Sequence, residues 1–193
     1  MTIADRYERE RAARRQLIVS AARALAEAEG WNAVTTRRLA AEIEYSQPVL
    51  YKHFTSMEQI ADAVALDGYA ELAEILDAVG DSSGQAAVTH TAYAYHEFAR
   101  DHAAVYEAMF MRTTALRFGA ADSPPPLTAA FAALRQVAGR VAAEGEDLDS
   151  LTELFWACLH GMATLGLTGR LRDDHLAHRV QLLAERLVAS PRA

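Results

Sequence analysis

Residues 35–54 read TTRRLAAEIEYSQPVLYKHF. Two short helical patterns flank a turn of about three or four residues, which is helix-turn-helix spacing. Thr35 or Thr36 opens the first of them with a hydroxyl able to cap it, and the pattern runs out near Glu42. Ser46 is placed to cap the second, with Pro48 in its first turn, where a missing N–H costs little. Leu39, Ile43, Val49, Leu50 and Phe54 supply the apolar contacts, and Ala40 gives the small side chain that crossing helices need. Thr36, Arg37, Gln47, Tyr51, Lys52 and His53 then face outward and are all polar. A helix lying in the major groove of DNA needs that arrangement: hydrogen-bonding side chains at its start, and cations or phenols beside the phosphates.

Outward from this stretch, the chain continues to read as helix. Alanine and leucine dominate, and no alternating run of β-branched residues interrupts them. A first helix is expected from about Arg6 to Glu29, with Gly30 after it and a buried stripe of Leu17, Ile18, Ala21, Ala22, Leu25 and Ala28. Ser56 with Gln59 predicts a capping box for a fourth helix reaching about Val79. GDSSG at 80–84 reads as a loop, and helices follow over 85–101 and 103–118. GAADSPPP at 119–126 breaks the chain. Further helices are expected to about Ala143, over 148–168 and over 174–189. The fold class is all-α with about nine helices, in two domains spanning 1–55 and 56–193.

Composition bounds the function. With 51% hydrophobic and 23% charged residues among 193, the chain is a globular protein and not a disordered one. No run of apolar residues is long enough for a membrane span, and MTIADRYERERAARR at the start lacks the apolar core of a signal peptide, so a cytoplasmic location is expected. Cys158 is the single cysteine, which excludes an internal disulfide and a cysteine-based zinc site. The formal charge of −7 argues against a generally basic nucleic-acid coat. Residues 1–66 are nevertheless balanced in charge, so the acidic excess lies wholly in the remainder. Nucleotide-binding glycine patterns and HExxH are absent. His175 and His178 lack partner carboxylates on a second helix and read as surface residues. No enzyme activity, metal or cofactor is expected.

At TTRRLAAE, S-x-x-x-LYKHF and FTSMEQI, preceded by Gly30-Trp31, the sequence resembles the TetR/AcrR family of bacterial transcriptional regulators over residues of about 10–66. FWACLHGMATLGLTGRL at 155–171 is similar to the Trp-x-x-x-His-Gly signature of one C-terminal subclass. The resemblance implies an all-α homodimer. Its N-terminal helix-turn-helix domain would bind double-stranded operator DNA, and its helical bundle would bind a small effector and dimerise. Glu44 stands in the turn where the family usually has glycine, in a left-handed conformation that costs a side chain about 1 kcal/mol. Met57 stands where lysine is typical, and Pro48 where a small residue is common.

Thr36, Tyr51, Lys52 and an arginine arm including Arg14 and Arg15 are assigned to phosphates; Gln47 and His53 to base edges; Arg37 to either. Tyr95, Phe98, Tyr106, Phe110, Thr114, Trp156 and His160 are the candidates for an apolar or aromatic effector, the competing reading being plain core. Gly161 beside His160 would let a neighbouring helix approach closely. Phe155 and Met162, with Leu176, Val180, Leu183 and Leu187 on the last helix, are the candidates for a two-fold interface. The expected function is an effector-controlled repressor binding a palindromic operator as a homodimer, without membrane association. The alternative is a helical small-molecule sensor or adaptor with weak or lost DNA binding.

Overall fold

The computed structural model describes residues 2–79, 82, 84–120 and 122–188. The helices are α1 (Ile3–Glu29), α2 (Thr36–Glu42), α3 (Gln47–Tyr51), α4 (Met57–Asp77), α5 (Gly84–Asp101), α6 (Ala103–Phe110), α7 (Pro125–Gly139), α8 (Leu148–Leu167) and α9 (Leu176–Leu187). Short 3₁₀ turns lie at Trp31–Ala33 and Asp173–His175, and there is no strand among the described residues. The architecture is all-α, as expected: helix-turn-helix elements followed by a helical bundle. Gly80, Asp81 and Ser83 of the expected 80–84 loop lie outside the described residues, as do Ala121 and residue 189.

Local chemistry sets the helix limits. α1 begins before Arg6 because Thr2 and Asp5 form a reciprocal cap: Thr2 Oγ1 accepts the Asp5 N–H at 3.1 Å and Asp5 Oδ2 accepts the Thr2 N–H at 2.8 Å. Its buried face is Ile18, Val19, Ala22, Leu25 and Ala26, rotated from the expected stripe so that Leu17 and Ala28 face solvent. α4 is capped by Ser56 Oγ, which accepts the Gln59 N–H at 3.3 Å. The Gln59 side chain reaches back one residue further than a standard box, to the Thr55 N–H at 2.9 Å. α6 stops at Phe110, well short of 118. There the Met111 and Arg112 N–H groups converge on one carbonyl, that of Glu107, and Thr114 Oγ1 takes the Leu116 N–H at 3.0 Å, offering the backbone an alternative to helix.

The chain folds as two compact units. One contains the chain up to Gly68 together with Ala104–Leu116; the other contains Tyr69–Ala103 and the chain from Arg117. The division therefore falls inside α4, whereas the domain boundary expected from the sequence precedes it.

In the first unit, α1 packs on α2 and α2 on α3. Segment 104–116 is fastened to this core at several points. The Glu27 carboxylate of α1 accepts the N–H groups of Ala104 and Val105, each at 3.1 Å, satisfying donors that the start of α6 would otherwise leave unpaired. Trp31, buried, donates its indole N–H to Ala104 O at 2.8 Å. Thr114 donates to Asp62 of α4 at 2.6 Å. Gly68 has no room for a side chain, since a Cβ there would overlap Val105 Cγ1 and stand 2.7 Å from Met109 Sδ.

In the second unit, α5 packs against α8 and α9, and α7 against α8. Tyr95, Phe98, Leu127, Leu134, Phe155, Leu159 and Val180 are buried there. Asp147 caps α8 by accepting the Ser150 N–H at 2.6 Å.

Candidate functional site

The turn between α2 and α3 is built by main-chain geometry. Thr35 caps α2, its hydroxyl accepting the Arg38 N–H at 3.3 Å. At the other end Tyr45 N–H bonds Ala40 O at 2.9 Å and Glu44 N–H bonds Ala41 O at 3.3 Å. This is a Schellman closure, which requires a left-handed residue at Glu44. Glu44 supplies it at φ 56°, the one non-glycine residue with positive φ among those described. Ser46 makes no side-chain cap, contrary to expectation. Pro48 has no N–H to offer it, and the Val49 N–H is taken by the main-chain oxygen of Ser46 at 2.9 Å.

Leu39, Ala40, Ile43, Leu50 and Phe54 are buried and Val49 is half-buried, so the inner faces of α2 and α3 are clamped. On the outside, Arg37, Gln47 and Lys52 are exposed, Tyr51 is 53% exposed, and Thr36 and His53 are half-buried. Arg14 is exposed and lies 3.9 Å from Glu10, one turn earlier on α1. Arg15 is used differently: its Nη1 donates to His53 O at 3.1 Å and its guanidinium lies 4.0 Å above the Phe54 ring. It pins the end of the α3 segment to α1. Arg38 and Glu29 form a two-point ion pair, both contacts at 2.6 Å, which ties the start of α2 to the end of α1.

His53 senses the charge gathered here. Partial burial, and then Arg11, Arg14, Arg15 and Lys52, hold its pKa below the usual histidine value. At neutral pH it is an uncharged ring able to donate and accept. The surface beside α3 is thus locally cationic although the chain is acidic overall. Arg11, another member of the arginine arm, belongs to this cluster.

The candidate effector residues fall into two groups. Tyr95, Phe98, Trp156 and His160 are in the second unit. Tyr95 and Phe98 are buried; Trp156 donates its indole N–H to Tyr95 Oη at 3.2 Å, and His160 lies 3.4 Å from Thr164 Oγ1. Tyr106, Phe110 and Thr114 are in the first, where Tyr106 and Phe110 rings lie 4.7 Å apart and Thr114 is bound to Asp62. No neighbour comes within 4 Å of a Cβ built at Gly161, so no helix approaches it closely; at Gly166 a Cβ would make only ordinary contact with His96 of α5, at 3.6 Å. Thr91 of α5 was not legible as polar interior, yet its hydroxyl is fully buried and has no hydrogen-bond partner among the described residues.

On α8 and α9, Phe155 and Val180 are each 1% exposed, so they belong to the core of the protomer and not to an interface. Met162, Leu176, Leu183 and Leu187 are half-buried. The large apolar side chains left exposed on these two helices are Leu154, Leu165 and Leu167 of α8 and Leu182 of α9. Apolar periodicity revealed the stripes without showing which edge the fold covers. Among the described residues, no three His, Cys, Asp or Glu side chains cluster as a metal site, and no helix is long and apolar enough to cross a membrane.

Comparison with known proteins agrees with this geometry. Residues 18–64 match the family described as bacterial regulatory proteins, tetR family, and residues 88–190 match the tetracyclin repressor-like C-terminal domain. An uncharacterised HTH-type transcriptional regulator of Mycobacterium tuberculosis, Rv0681, is 31% identical over 166 residues, covering 82% of this chain and 72% of its own. A Rhodococcus sp. RHA1 protein of unknown function has a similar fold: TM-score 0.70 at 22% identity, over 90% of this chain and 93% of that one. A single-substitution variant of TetR from Acinetobacter baumannii AYE, solved in complex with minocycline, gives TM-score 0.57 at 16% identity over 89% and 92%. With the clamped helix pair, its exposed polar face and these matches over both parts of the sequence, the chain belongs to the TetR family of bacterial regulatory proteins.

Proposed function

We propose that the protein is an effector-controlled transcriptional repressor that binds a palindromic operator as a homodimer. The observation that carries this reading is the disposition of α3 and the residues just after it: Leu50 and Phe54 are buried while Gln47, Tyr51 and Lys52 are exposed. Lys52, Tyr51, Thr36 and Arg14 contact phosphates and set the register, Gln47 and His53 read base edges, and Arg37 serves either task. Arg15 holds α3 in place from behind and gives its guanidinium to Phe54.

The dimer forms through the outer edges of α8 and α9, where Leu154, Leu165 and Leu182 stand uncovered beside half-buried Met162 and Leu183. A two-fold axis repeats this patch on itself and supplies two copies of α3, one for each half-site of a palindrome. The effector binds within the second unit among Tyr95, Phe98, Trp156 and His160, the last two in the Trp-x-x-x-His-Gly pattern. A bound minocycline in a protein of similar fold supports an effector site. Segment 104–116 carries the response. It is covalently continuous with α5 and is fastened to α1 and α4 by Glu27, Trp31 and the Asp62–Thr114 bond. An effector that prefers the state in which these fastenings are displaced lowers operator affinity by its differential affinity for the two states.

Fluorescence anisotropy with labelled inverted repeats from DNA flanking the protein's own gene tests the reading. Saturable binding of two protomers per duplex, weakened by salt, is expected. Binding no tighter than to scrambled duplex of the same length would contradict it.

A further inference from the structure

Among the described residues, the interior of the second unit contains two nitrogen atoms without hydrogen-bond partners, on neighbouring helices. His96 of α5 lies against α8, where a Cβ at Gly166 would be in ordinary contact with its Cε1, at 3.6 Å. Its Nδ1 is buried and unpaired. Arg179 lies on α9, the helix packed against α5, and is held by donation from Nη1 to Arg172 O at 2.9 Å. That bond fixes the guanidinium, yet its Nε–H is also buried and unpaired. Burial, and then the charges of Arg100 and Arg179, hold the His96 pKa below its usual value, with Glu97 and Asp173 acting the other way. The ring is accordingly neutral near pH 7 and can carry its proton on Nδ1, which makes it a second donor.

Two buried donors, one on a permanent cation, are the complement of an acceptor with two oxygens and one negative charge. We propose that His96 and Arg179 form a binding site for the carboxylate of a small organic acid, one oxygen on the Arg179 Nε–H and the other on His96 Nδ1–H. A neutral ligand would leave the guanidinium charge uncompensated. A phosphate would bring more oxygens and more charge than these two donors match. Thr91, the other unpaired group, is five residues earlier on α5 and belongs with Tyr95 on a different face of that helix. The role of such an acid as the effector rests on the repressor reading; its binding does not.

Isothermal titration of the full-length protein with benzoate, benzamide and inorganic phosphate tests the site, in wild type and in Arg179→Met and His96→Phe. Benzoate is expected to bind saturably, with benzamide and phosphate at least about tenfold weaker and each variant weakening benzoate by about tenfold or more. Circular dichroism and elution volume check that the variants fold; Arg179→Gln is the replacement for one that does not. Benzoate binding that is absent, equal in wild type and variants, or matched by benzamide overturns the site. Benzoate that binds with these dependences yet leaves anisotropy with the inverted repeat unchanged upholds the site and removes its effector role alone. Absence of any specific DNA binding, with benzoate binding intact, would sink the repressor reading and not the site.

Discussion

In the first compact unit the polar groups that matter lie outside: Gln47 and Tyr51 stand exposed on α3 and Lys52 just after it, and the buried side chains around them are paired or apolar. In the second unit the unusual polar groups lie inside. Thr91 Oγ1, His96 Nδ1 and Arg179 Nε are buried without partners, and all three such atoms among the described residues fall in this unit. Buried donors and acceptors are nearly always satisfied in native proteins, because leaving one unpaired costs its full desolvation. The contrast separates a module complete in itself, which presents a finished surface to a partner, from a bundle whose interior has hydrogen-bonding capacity to spare. A surface reader and an internal sensor would differ in this way.

The largest effect should come from the core of the second unit. Phe155→Ala is expected to cost about 3–5 kcal/mol in denaturant unfolding, since its side chain is almost wholly enclosed. Leu154→Ala, one residue earlier but 57% exposed, should change protomer stability by no more than about 0.5 kcal/mol while shifting the dimer toward monomer in light scattering. Similar losses of stability from the two would erase the distinction between core and interface drawn on α8.

In the first unit, Lys52→Ala should weaken binding to all duplexes alike and lower the salt slope by about 1. A changed base preference would instead move Lys52 among the specificity residues. Glu44→Gly relieves the left-handed strain and should stabilise the protein by about 1 kcal/mol. It also removes a negative charge from the turn, so anisotropy should show tighter DNA binding; weaker binding would mean that Glu44 makes a favourable contact of its own.

The smallest effects are those of pH. His96 and His160 both have pKa values depressed, first of all by burial. Between those values and the unfolded value of about 6.5 the unfolded chain binds more protons, so stability should fall as pH drops through about 6.5 and level off below the folded values. Melting curves that rise on acidification over this range would contradict the burial of both rings. DNA binding should move oppositely: protonating His53 adds positive charge beside α3, so affinity at fixed salt should increase as pH falls below about 6.5.

The helix-turn-helix was legible because its signals are local. The small Ala40, the apolar spacing from Leu39 to Phe54 and a turn needing a left-handed residue all lie within residues 35–54, and Glu44 adopts the conformation expected of it. Other features depend on partners distant in sequence. Glu27 caps α6 across a separation of 77 residues, and no pattern along α1 marks that carboxylate as different from Glu29. Arg15 counted as one more cation of the N-terminal arm, and only the fold sets it over Phe54. Helical periodicity showed that α8 and α9 carry apolar stripes but not that Phe155 and Val180 turn inward while Leu154 and Leu182 turn out. The tertiary neighbours of His96 and Arg179 were likewise invisible, since neither residue forms a motif with the residues beside it.

The central claim is that the outer face of α3 reads bases. Selection of duplexes from a random pool by wild type and by Gln47→Ala tests it most directly. The account predicts an inverted repeat enriched by the wild type, and for the variant the same repeat with relaxed preference at one base pair in each half-site. An identical preference from both proteins, or no enrichment by the wild type, would contradict it.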